Sequence, residues 1–264
     1  MQNVKITKVG RYFLAVPMVV FGIQHFMYAE FVMQLVPGWI PAPLFWTYFT
    51  GAALFAAGAG IAINVWSRLA ATLLGLMISI WVIILHIPRI FAYPGDTEFI
   101  NVFDALFILS GAFLLSYSLD GKTHLERIST VGAKAAPILI AIALSVFGIE
   151  HFIHGRLVFI VGAPYYEIPG STFWSYLTGI IFIVSAAGIV FRRRPVAVAS
   201  FLSAYVLFIA ILFYGPQLWN DVYHAHTWAT FLKGMAMSGS SLMLANALSD
   251  ERGAVNESIP LEVP

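Results

Sequence analysis

Apolar residues along this chain come in long runs, separated by short segments that hold most of the charge. A helix needs about 20 mainly apolar residues to cross the hydrocarbon core of a bilayer. Stretches of that kind lie at roughly 10–29, 43–63, 67–88, 101–119, 132–153, 171–191, 196–215 and 227–248. The pattern predicts an all-α, polytopic membrane protein with eight transmembrane helices. Small residues crowd the second stretch (Gly51, Ala52, Ala53, Ala56, Ala57, Gly58, Ala59, Gly60) and the eighth (Gly234, Ser238, Gly239, Ser240, Ser241). Small side chains let backbones approach where lipid supplies no hydrophobic drive for association, so these positions predict tight helix crossings rather than chemistry.

The pattern occurs twice. Phe21-Gly22-Ile23-Gln24-His25-Phe26 returns 126 positions on as Phe147-Gly148-Ile149-Glu150-His151-Phe152. Phe45-Trp46-Thr47-Tyr48-Phe49-Thr50-Gly51 returns 128 positions on as Phe173-Trp174-Ser175-Tyr176-Leu177-Thr178-Gly179. Two spaced matches at nearly one offset indicate a tandem duplication. Four helices per copy bring the chain back to its starting side, which predicts two parallel four-helix repeats. The expected organisation is a first repeat over 1–119, a cytoplasmic linker over 120–131, a second repeat over 132–249 and a disordered tail over 250–264.

Composition fixes the class. Hydrophobic residues make up 60% of the chain and charged residues 10%, with mean hydropathy +0.85. A soluble domain would carry roughly 25% charge. Without cysteine, disulfides, thiolate catalysis and cysteine metal sites are excluded. A net charge of +1, with no basic patch beyond Arg192-Arg193-Arg194, argues against a nucleic-acid partner.

Charge also sets the orientation. Lys5, Lys8, Arg11, Arg68, Lys122, Arg127, Lys134, Arg192, Arg193, Arg194 and Arg252 fall on one side of the predicted helices. Arg89 and Arg156 fall on the other, and Lys233 lies inside a helix. The positive-inside rule then makes both termini cytoplasmic. Lys5, Lys8 and Arg11 before an apolar run resemble a signal peptide, but the same motif recurs in the internal fifth stretch, so the first is expected to be a span.

Internal polar residues gather toward the opposite, outer face: His25 and His151, then His86, Arg89, Asn101 and Asp104. In the second copy Tyr214 stands at the place of His86, and Asn220, Asp221, His224 and His226 lead into the helix that carries Lys233. An ionisable residue within the membrane is costly and marks a candidate site. The segments 30–43 and 156–170 are apolar and rich in Pro and aromatics, unlike loops that reach into water. They are expected to lie at the interface over the helix ends, with Trp39, Tyr165 and Tyr166 at headgroup level, and to roof a pocket reached from the lipid side.

Two histidines at matching places can ligate a metal or haem, shuttle a proton, hold a quinone carbonyl, or simply hydrogen-bond within the bundle. No zinc-like spacing accompanies them, so no metal is expected. If the copies face each other, His25 and His151 meet in one pocket, with Trp46, Trp174, Tyr48 and Tyr176 nearby. Glu150, where the first copy has Gln24, is a candidate for proton transfer beside His151 and His154, or for pairing with Arg156. Asp104 and Lys233 stand at neighbouring positions in equivalent helices, close enough in register for an intramembrane ion pair; equally, Lys233 can snorkel to the surface. His86 and Arg89 flank Pro88 at a helix end and suit an anionic or carbonyl group, although Pro there is also an ordinary stop signal.

The repeated Phe-Gly-x-x-His-Phe and Phe-Trp-x-Tyr-x-Thr-Gly, with His86-x-Pro88-Arg89 and Ser110-Gly111 or Ser238-Gly239 late in each copy, resemble the DoxX-like bacterial membrane proteins over roughly 8–119 and 130–248. Those are four-helix units, named after membrane subunits of a thiosulfate:quinone oxidoreductase, and they offer no settled catalytic set to carry over. The resemblance implies a bacterial inner membrane and quinone-linked redox chemistry. The leading expectation is a protein that binds a quinone or similar lipophilic molecule, haem being the lesser choice. His25 and His151 would hold the carbonyls, and Glu150, His86 and Arg89 would move protons or anchor an anion. Trp46 and Trp174 would stack on the ring, and a redox partner would supply electrons. A transporter and a scaffold or assembly factor without turnover are the alternatives.

Overall fold

The computed structural model describes residues 2–92, 96–119, 124–154, 170–220 and 225–257, and the described part is all helical. Its long elements are α1 (Gln2–Met27), α2 (Pro43–Ile63), α3 (Ser67–Ala92), α4 (Asp96–Ser118), α5 (Glu126–His154), α6 (Ser171–Val190), α7 (Pro195–Trp219) and α8 (Ala225–Glu257). Between α1 and α2 lie a short helix (Ala29–Val32) and a 3-10 turn (Met33–Leu35). The last helix continues past Asp250, where a tail is expected, to Glu257.

Seven of these helices, α1 to α7, are long and apolar enough to cross a membrane, so the protein is a multi-pass membrane protein by helix composition. The eighth expected span lacks such a stretch. The reason is its position: α8 packs on α1, α4 and α7, and its Ser238, Ser240, Ser241 and Asn246 are buried in protein. Polar side chains buried against other helices lower the mean hydropathy of α8 without facing solvent.

The packing is ordered. α1 lies along α2 and α8, while α5 lies along α6 and α4; α3 packs on α4 and α7 on α8, and α4 and α8 pack on each other. Hydroxyls join neighbouring helices. Ser116 of α4 meets Thr72 of α3 at 2.5 Å and Ser129 of α5 at 2.8 Å, all three side chains being buried. Interhelical bonds of this kind are individually modest. Ser116→Ala is expected to cost about 1 kcal/mol in a denaturant titration of the detergent-solubilised protein.

Both α3 and α7 contain one wide π turn, Val82–His86 and Ala210–Tyr214. Each stands just before a proline, Pro88 or Pro216. In an α-helix the proline ring lacks an N–H and collides with the carbonyl four residues back. Widening the turn by one residue relieves that collision and changes which side chains face the neighbouring helices. His86 and Tyr214 are the last residues of these turns.

Candidate functional site

The duplicated motifs build helix crossings. A Cβ on Gly22 would stand 2.7 Å from the carbonyl oxygen of Gly51 and 2.7 Å from the amide nitrogen of Phe55; one on Gly51 would stand 2.7 Å from His25 Cβ. α1 and α2 therefore touch backbone to backbone where both residues are glycine. Gly148 and Gly179 do the same for α5 and α6, each being 3.0 Å from the other's carbonyl oxygen when given a Cβ. The histidine four residues after each phenylalanine is held the same way twice. His25 Nδ1 lies 2.7 Å from Phe21 O, and His151 Nδ1 lies 2.7 Å from Phe147 O. With Nδ1–H donating to a carbonyl, the neutral ring keeps Nε2 as an acceptor.

Beyond that shared frame the halves differ. In the first, α1, α2 and α3 border a half-open cavity of about 190 Å³ lined by His25, Trp46, Thr47, Thr50, Leu54, Met77, Ile78, Trp81, Leu85 and His86. Val32, Leu35 and Val36 of the short connecting segment also line it. None of these residues is an Asp, Glu, Lys or Arg. Trp81 Nε1 is buried and has no hydrogen-bond partner among the described residues.

Against this cavity lies a larger apolar groove between α2 and α3, of about 1020 Å³, running from Trp39 and Trp46 to Ile63, Val65 and Trp66. Trp46, Met77 and Trp81 line both spaces. Trp46 and Trp81 meet edge to face there, with ring centroids 6.3 Å apart. Trp39 is mostly exposed.

In the second half the equivalent histidine is sealed. His151 is 0% exposed, its ring edge-on to Phe182 at 5.7 Å, and its carbonyl accepts a hydrogen bond from Ser175 Oγ at 2.9 Å. His25 and His151 do not share the cavity that His25 lines. α1 packs on α2 and α8, and α5 on α6 and α4. Tyr214 is buried at the place corresponding to His86.

Other predicted residues fall in several places. Tyr48 and Tyr176 lie outside the cavity lining: each stacks on a phenylalanine of the preceding long helix, Phe26 at 5.5 Å and Phe152 at 5.6 Å, and both are exposed. Trp174 packs against Phe213 at 5.5 Å. Arg89 is half-buried beyond His86 and does not line the cavity. Glu150 Oε2 lies 2.9 Å from His154 Nε2, one turn along α5. Lys233 Nζ donates to Asp104 Oδ2 and to Asn101 Oδ1, each at 2.8 Å, joining α8 to α4. Arg156, Tyr165, Tyr166, His224 and the side chain of His226 lie outside the described residues.

Trp81, Thr47 and Thr50 are cavity residues that the sequence reading passed over. Trp81 sits in an unbroken apolar run and looks like lipid-facing bulk. The available signal was its place five residues before His86, one π turn away.

Residues 14–92 are similar to a family described as a domain of unknown function (DUF8561). That stretch spans most of α1, all of α2 and α3, and every residue that lines the cavity and the groove. No curated protein matches the chain. No solved structure matches it either.

Proposed function

We propose that this protein spans the membrane eight times as two four-helix repeats, and that its first repeat binds one lipophilic small molecule. The ligand has an uncharged, hydrogen-bonding head seated between His25 and His86, and an apolar tail lying in the groove between α2 and α3. A quinone fits this description, and the resemblance to DoxX-like proteins favours it. Both termini are cytoplasmic by the distribution of Lys and Arg, which opens the site to the outer leaflet.

The observation that carries the reading is Trp81 Nε1, a buried donor without a partner among the described residues, on a ring that lines both cavity and groove. An unmet buried N–H costs about 1–3 kcal/mol, which a ligand carbonyl would recover. His25 Nε2 supplies an acceptor on the α1 side, which bonds a hydroxyl of the reduced quinol and leaves the quinone carbonyl to the Trp81 donor. The size also fits: 190 Å³ holds little more than a ring, below the roughly 300–1,000 Å³ of drug-sized pockets, so a tail must lie elsewhere. The adjoining groove has the length and the apolar lining for it. In this reading His25 and His86 hold the head, Trp46 borders the ring, and a quinone would bring the redox chemistry, with electrons from a partner protein. Glu150, Arg89, Tyr48, Tyr176 and the sealed His151 and Trp174 have no direct role.

Trp81→Phe keeps the ring and removes the donor. It is expected to weaken binding of decylubiquinone to the detergent-solubilised protein by about five- to tenfold, the worth of one hydrogen bond. Titration calorimetry measures it. Unchanged affinity, or equal affinity for an alkyl chain without a carbonyl head, would mean that the groove merely holds bilayer lipid.

A further inference from the structure

We infer that the second half carries the same site in a plugged form, so that the chain binds one ligand molecule rather than two, and that Leu54, Met77 and Leu85 are the residues that keep the first site open. The inference rests on the proposed binding at the first cavity. Counting 128 positions on, these three side chains become Phe182, Tyr205 and Phe213. All three replacements are larger, and all three are buried.

The rings pack on one another and on His151. Phe182 stands edge-on to His151 at 5.7 Å and perpendicular to Tyr205 at 6.4 Å. Phe213 packs on Trp174 at 5.5 Å, where the first half has the Trp46 ring facing cavity and groove. The polar groups change with them. Thr178, which corresponds to the cavity residue Thr50, is hydrogen-bonded to Tyr205 OH at 2.7 Å. Ile209, with no side-chain donor, stands where the first half has Trp81, and Tyr214 where His86 lines the cavity.

The frame around both places is nevertheless the same: a glycine crossing, a histidine bonded to the carbonyl four residues back, and a π turn before a proline. On this frame the second half holds a buried phenylalanine at the position of Leu54. The open space in the first half is not forced by the backbone. A cavity left unfilled where the same frame can fill it costs stability, and a ligand that occupies it offsets that cost.

Leu54→Phe tests this directly, with decylubiquinone as the probe and thermal unfolding as the check on folding. The expected result is a folded protein whose affinity falls about tenfold or more, because the ring takes the head's place. The unaltered protein should bind one equivalent per chain. If Leu54→Phe proves unstable, Met77→Tyr fills the same cavity from α3 and must give the same loss. Two equivalents per chain, or full affinity in the folded filled variant while Trp81→Phe still weakens binding, would overturn the plug and leave the first site standing. If neither Trp81→Phe nor the filled variant changes affinity, the ligand lies elsewhere and both readings fail.

Discussion

Lys233→Met is expected to destabilise the protein by about 3–5 kcal/mol, the usual cost of leaving a buried charge without its partner. Asp104→Asn should cost clearly less. Asp104 is 5% exposed, and its Oδ1 has no hydrogen-bond partner among the described residues. Taking away the ammonium leaves that carboxylate facing Asn101 and apolar helix. Taking away the carboxylate leaves a lysine whose side chain is 32% exposed and has a flexible stem that can turn toward the surface. Asp104→Asn combined with Lys233→Met should regain most of the loss, because an unpaired charge costs more than a missing pair. Denaturant titrations of the four proteins in one detergent measure all three differences. Equal, small losses in the two single variants would show that water reaches the pair.

Gly22→Ala is expected to cost about 3 kcal/mol, at the upper end for overpacking, and Gly148→Ala clearly less. The two glycines occupy matching places, but their surroundings differ in what can yield. The added methyl at Gly22 meets two backbone atoms of α2, Gly51 O and Phe55 N, both at 2.7 Å, and neither can turn aside. At Gly148 the nearest atom is Ile183 Cγ1 at 2.6 Å, part of a side chain with other rotamers, and the backbone oxygen of Gly179 is 3.0 Å away. Forcing α1 off α2 also moves His25, so Gly22→Ala should weaken ligand binding while Gly148→Ala leaves it unchanged. Thermal unfolding and calorimetry on both variants check the pair of expectations. A larger stability loss at Gly148 would contradict the crossing geometry.

Much of the architecture was legible because apolar run length is a simple signal. The seven apolar helices fall close to the expected stretches, and the glycines and histidines of the repeated motifs sit at matching places in helix crossings. The eighth helix was harder to judge: its serines are buried in protein and its Lys233 pairs with Asp104, and a hydropathy pattern does not say which neighbours a helix has. The site was legible in part. His25, His86 and Trp46 converge on one cavity, but His151 does not join them. A sequence gives a residue's height along its helix and not which helix stands opposite. Trp81 and the Leu54/Phe182 difference were invisible for another reason. Both look like ordinary apolar choices until a π turn and a neighbouring void give them meaning.

The docking of α1 on α8 bears on how the chain is made. Gly239 fits against Gly10 O, Leu14 N and Phe13 Cβ, each 2.9 Å from where its Cβ would be. That surface of α1 is synthesised more than 200 residues before its partner. While the ribosome is still extending the chain, the first helix must wait in lipid or against the insertion machinery with one side uncovered. Native packing around it is therefore completed only after the last helix has been made and has docked on it.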